Sequence, residues 1–117
     1  MGILAISAGI AIYNSTLDKD SRWIQVELDM DRLKDIQEQV DNGHMVDWLK
    51  PEGGAMNFAY QYLELQSMYI DKVENQEGEA TVLMSTSKGK LEMKLKQPLK
   101  TEYGIWTVYS YRWKNHK

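Results

Sequence analysis

Near Ser67 the spacing of apolar residues changes, from steps of three and four before it to every second residue after it. Helices and strands bury one face at periods of 3.6 and 2, so the chain is expected to lay down helices first and an antiparallel sheet second. Over 22–42 the stripe Trp23, Val26, Met30, Leu33, Ile36 or Gln37, and Val40 predicts one long helix. Asp18, Asp20 or Ser21 can cap its start, and Asn42-Gly43 can supply the left-handed residue that ends it. The opposite face carries Glu27, Asp31, Lys34, Asp35, Glu38 and Asp41 and should be wet. A connector over 44–50 leads to Pro51, after which Ala55, Phe58, Ala59, Tyr62 and Leu63 predict a second helix over 52–64. Gly53 and Gly54 weaken its first turn and leave room for another backbone to approach.

Beyond the switch, alternating runs at 68–74, 80–87, 90–97 and 105–113 predict four strands. They are joined by Asn75-Gln76-Glu77-Gly78, by Ser87-Lys88-Gly89 and by 98–104, and such short links imply antiparallel neighbours. In the third strand Leu91, Met93 and Leu95 should face inward and Lys90, Glu92, Lys94 and Lys96 outward. In the last, Ile105, Thr107, Tyr109, Tyr111 and Trp113 are expected on one face, with Trp106 and Val108 on the other. The expected fold is α+β, two N-terminal helices packed on a curved four-stranded antiparallel meander. A chain of 117 residues suits one such domain, here 15–117, preceded by the apolar segment 1–14.

That segment carries Ile3, Leu4, Ala5, Ile6, Ala8, Ile10, Ala11, Ile12 and Tyr13 without a charge. It is shorter than the ~20 residues of a membrane span and has no basic residues before it, as a signal peptide would. Three readings stay open: the end of a membrane anchor, a segment packed on the domain, or an unusual export signal. The first is preferred, because the run passes into Asn14, Ser15 and Thr16, and it implies a membrane-held domain on the extracytoplasmic side; a cytoplasmic location is the alternative.

Without cysteine the chain has no disulfide, thiolate or cysteine-ligated zinc. His44 with Asp41 and Asp47 lacks a spacing diagnostic of a metal site, and Asp29, Asp31 and Asp35 fail as a calcium loop because Leu33, Lys34 and Val40 occupy required positions. Gly53-Gly54 lacks the rest of any nucleotide-binding motif, and Ser67, Ser85, Ser87 and Ser110 sit outside a nucleophile elbow. No catalytic residue, cofactor or metal ligand is therefore assigned. Two surfaces stand out instead. Lys90, Lys94, Lys96 and Arg112 form a candidate partner face, although lysines on exposed strands also guard against aggregation. Trp48, Phe58, Tyr62, Trp106, Tyr109 and Tyr111 are candidates for core packing or for lining a pocket between sheet and helices. Charge divides unevenly: residues 1–66 hold 5 Lys/Arg against 11 Asp/Glu, and residues 67–117 hold 9 against 6. An acidic helical layer against a basic sheet is expected, and a net charge of −3 argues against nucleic acid as a partner.

The segment Gln39-Val-Asp-Asn-Gly-His44, with Trp48-Leu-Lys-Pro51, Phe58-Ala59 and the closing Gly104-Ile-Trp-Thr-Val-Tyr-Ser-Tyr-Arg112, resembles the cystatin-like superfold group that includes nuclear transport factor two-like domains. The likeness spans residues 36–113 and is nearest to small extracytoplasmic domains of exported Gram-positive proteins. It implies a helix-over-curved-sheet cone, frequently dimeric and frequently without enzymatic activity. Catalytic members place acids and histidines inside the cone, and the apolar, aromatic inward faces here offer no matching set. The expectation is a non-catalytic interaction domain that binds a protein, a peptidoglycan-associated ligand or its own copy. A ligand carrier or small enzyme is the alternative, and it requires a cavity of about 300 Å³ or more with converging polar groups.

Overall fold

Two tight hairpins organise the molecule. The computed structural model describes residues 22–114. Strands β2 (Met68–Gln76), β3 (Glu79–Thr86) and β4 (Gly89–Lys96) follow one another through two-residue turns, with Gln76 opposite Glu79 and Thr86 opposite Gly89. Gly78 takes a φ of +80°, a left-handed conformation that admits glycine without a steric cost. β5 (Thr107–Lys114) returns along β4, so the meander expected after Ser67 is present. Leu91, Met93 and Leu95 are fully buried, as their alternation requires.

The architecture is α+β, but among the described residues the sheet has five strands and a strand precedes the first helix. A short strand β1 (Ile24–Gln25) comes first and pairs antiparallel with β5, giving the order β1-β5-β4-β3-β2. Helix α1 (Met30–Asp41) therefore begins eight residues later than its apolar stripe suggests. The Asp29 side chain caps it by accepting from the Arg32 N–H at 3.1 Å; Asp18, Asp20 and Ser21 lie outside the described residues. Trp23 and Val26 fit both a helical stripe and an extended strand. The free edge of β5 decides between them, because the Val26 N–H can donate to the Tyr109 carbonyl at 2.9 Å. The helix ends as expected, on Gly43 with φ +88°, the N–H groups of Gly43 and His44 returning to the carbonyls of Val40 and Gln39.

A 3₁₀ helix (Val46–Leu49) leads into α2 (Pro51–Gln61), which ends earlier than residue 64. The two glycines do admit close backbone approach: a Cβ at Gly53 would overlap the Asp47 carbonyl, and one at Gly54 the Trp106 carbonyl.

Bulges lie where β2 passes Asp71 and where β5 passes Tyr109 opposite Lys94 and Leu95. An extra residue inverts the alternation, so Val108 and Tyr111 both face inward and Tyr109 faces out, contrary to the strict two-residue pattern. Trp106 lies before β5 rather than within it. The apolar residues then gather in two clusters. The larger joins the inner face of β2–β5 to α2 through Ala55 and Ala59, and the smaller joins Leu33, Ile36 and Val40 of α1 to Trp48 and Ile105. The apolar run 3–13 and His116 lie outside the described residues.

Candidate functional site: a cleft between the helices

Because α2 rests directly on the backbone of Asp47 and Trp106, its Phe58, and Tyr62 just past its end, are placed over Tyr111 of β5. The strap 26–29, running from β1 into α1, passes opposite them. Between strap, α1 and α2 opens a cleft of about 400 Å³. Its floor is apolar, with Leu33, Trp48 and Val108 buried and Val26, Leu28 and Phe58 half-buried. Its rim is polar, with Glu27, Asp29, Arg32, Asn57 and Gln61.

Arg32, Gln61 and Asn57 on the rim are tied to neighbouring protein groups. Arg32 Nη2 donates to Gln61 Oε1 at 2.6 Å, a clasp from α1 to α2 across the opening. Asn57 Nδ2 donates to the Asp47 carboxylate and to the Gly53 carbonyl, both at 2.8 Å. Phe58 and Tyr62 stack at 4.8 Å, and Tyr111 closes on both at 5.3 and 6.5 Å from behind. Burial, and then the neighbouring Tyr62, raise the Tyr111 phenol above its usual pKa.

Of the aromatic residues singled out in the sequence, Trp48, Phe58 and Tyr62 line this cleft and Tyr111 backs it. Trp106 is buried in the larger cluster, its backbone N–H donating to the Trp48 carbonyl at 2.9 Å. Tyr109 is turned to the other face by the bulge. There its hydroxyl donates to Glu79 at 3.2 Å and Lys96 sits 4.9 Å from its ring centre. Burial and the Glu79 carboxylate raise its pKa. The sequence reading missed Arg32, Asn57 and Gln61, whose partners lie up to 29 residues away, and it placed Val26 on a helix.

The basic row lies on the outer face of the sheet, and each cation there has a partner within the domain. Lys94 and Arg112 enclose the Trp23 ring at 4.3 and 4.5 Å, a double cation–π contact that holds β1 to the sheet. Arg112 Nε also donates to Glu92 at 2.8 Å. Lys90 Nζ reaches Asp71 at 3.2 Å and Ser85 Oγ at 2.6 Å, and Ser85 Oγ donates to Asp71 at 2.6 Å. A serine beside a lysine is the grouping a nucleophile needs, but here the Ser85 hydroxyl gives its proton to a hydrogen bond with the Asp71 carboxylate. The Ser85 hydroxyl first, and Lys90 after it, hold the Asp71 carboxyl below the usual range. The cluster is a clamp on the bulge of β2.

His44, Asp41 and Asp47 go separate ways. His44 Nδ1 lies 3.4 Å from Gln39 Oε1, Asp41 accepts from Gln37 and Lys100, and Asp47 accepts from Asn57. Among the described residues no group of three or more His, Cys, Asp or Glu is arranged to hold a metal ion, and no helix is long and apolar enough to cross a membrane. The chain matches no family model, no curated protein and no solved structure with which it was compared.

Proposed function

We propose that this chain is a non-catalytic interaction domain whose working surface is the cleft between α1 and α2. The observation that carries the reading is the apolar floor under a polar rim: at about 400 Å³ the cleft reaches the size a ligand carrier needs, but Arg32, Gln61 and Asn57 bond to protein groups instead of converging on its centre, which leaves an apolar floor suited to one anchoring group of a partner. Arg32 holds Gln61 from one helix to the other, and Asn57 holds the Asp47 carboxylate and the Gly53 carbonyl, bonds that keep the walls in place. The basic face, already partnered internally, is the weaker candidate for the same task. The proposal includes a cystatin-like relationship, supported by a helix laid across a bulged antiparallel meander. It also includes an extracytoplasmic position with residues 3–13 as the membrane attachment, supported by their uncharged apolar sequence.

The test is a neutral peptide, dansyl-Ser-Phe-Leu-Ser-amide, titrated into the full chain and followed by methyl NMR. Shifts should concentrate on Val26, Leu28, Leu33 and Val108, and Phe58→Ala should weaken the binding at least fivefold. Shifts spread over the outer face of the sheet would reject the cleft as the working surface, as would the absence of shifts both with this peptide and with its lysine counterpart. Flotation with phosphatidylglycerol vesicles tests the attachment: the full chain should float and a chain lacking residues 1–14 should not, and equal behaviour of the two sinks it.

A further inference from the structure

We infer that the cleft takes a basic amphipathic peptide segment, an apolar side chain flanked by lysine or arginine. The inference rests on the binding reading above and adds the chemistry of the partner. Residues 26–64, which build the strap and both helices, hold nine Asp or Glu against three Lys or Arg. The helical layer is therefore net negative, and on the cleft's own lining two carboxylates, Glu27 and Asp29, stand against the single guanidinium of Arg32, a balance that favours a cationic partner. Two of those carboxylates, Glu27 and Asp29, stand on the cleft wall itself, and neither forms an ion pair among the described residues. Among the lining residues Arg32 is the one cation; its guanidinium is bonded to Gln61, and it leaves the two carboxylates in excess.

The apolar floor and the stacked Phe58–Tyr62 pair complete the match. The floor receives an uncharged side chain, and the exposed Tyr62 ring offers a π face to a neighbouring cation. A second copy of the chain fits less well, because the cations of its basic face are held by Asp71, Glu92, Trp23 and Tyr109. A peptide with its own free lysines meets no such competition.

The experiment compares three dansyl peptides by fluorescence anisotropy: Lys-Phe-Leu-Lys, Ser-Phe-Leu-Ser and Glu-Phe-Leu-Glu amides. At low salt the lysine peptide should bind at least tenfold more tightly than the glutamate peptide, and salt near 0.5 M should remove most of that difference, since exposed charges are then screened within about 5 Å. The double variant Glu27→Gln, Asp29→Asn should lower lysine-peptide affinity about tenfold, about threefold per exposed charge, and leave the serine peptide unchanged. Asparagine keeps the cap of α1, so the helix is preserved. Phe58→Ala should weaken all three peptides alike. Equal binding of lysine and glutamate peptides, or no effect of the double variant, overturns the inference and leaves the cleft reading standing. Lysine-peptide binding that ignores Phe58→Ala also overturns it, because the peptide is then bound elsewhere. If none of the three peptides binds, the cleft reading itself fails.

Discussion

The larger and smaller apolar clusters use the same driving force and are held in different ways. In the larger, Val82, Met84, Leu91, Met93 and Leu95 are wholly buried, and they come from strands adjacent both in sequence and in the sheet. Hairpin register alone brings them together. The smaller cluster draws Leu33, Ile36, Val40, Trp48 and Ile105 from three separate segments, and no backbone ladder aligns them. A buried amide does so instead. Gln37 Nε2 donates to the Tyr103 carbonyl at 2.9 Å, and Gln37 Oε1 accepts from the Ile105 N–H at 3.0 Å. Tyr103 has a φ of +59°, strained for a residue with a side chain, and this bond helps to hold it. A region ordered by local pairing tolerates a polar exterior, whereas a region ordered by one side chain depends on that side chain.

The largest expected effect falls on the ladder-built cluster. Leu95→Ala removes a fully buried side chain beneath Gly54 and should cost about 3 kcal/mol in urea unfolding, with the whole domain losing stability together. A loss under about 1 kcal/mol would mean that the sheet core relaxes as readily as a surface.

Gln37→Met should cost about 2 kcal/mol, because the shape is kept but the Ile105 N–H is left buried without its acceptor. The two regions should separate here: amide exchange should quicken in α1 and at 103–105 and stay slow in β3 and β4. Uniform quickening would erase the distinction between the clusters.

The smallest effect is a pH dependence with one carboxylate in each region. The bond from Gln37, and then Lys100, lowers the pKa of Asp41, as Ser85 and Lys90 lower that of Asp71. A carboxyl whose folded pKa is depressed contributes stability above its unfolded pKa, and that contribution is lost as pH falls through the folded value. Stability should therefore drop on acidification below the ordinary carboxylate range. Asp41→Asn and Asp71→Asn should each flatten the acid limb of the stability curve, and by less than either core change. An unaltered limb in both variants would show that the two ion pairs do not contribute.

The meander, the inward faces of β3 and β4, the end of α1 at Gly43 and the close approach at Gly53 and Gly54 are legible in the order of residues alone. Each follows from alternation, turn residues or the lack of a Cβ, all properties of neighbouring residues. The tertiary structure decided the rest. Trp23 to Val26 carried a helical spacing, but the open edge of β5, together with Lys94 and Arg112 on the outer face, made Ile24 and Gln25 a short strand flanked by extended Trp23 and Val26. A single bulge moved Tyr109 out and Val108 in, which no count of alternating residues reveals because one extra residue reverses every face beyond it. The cleft depends on all of these together. Its strap exists because β1 pairs with β5, its floor includes Val108 because of the bulge, and its clasp joins Arg32 to Gln61 only once both helices have docked.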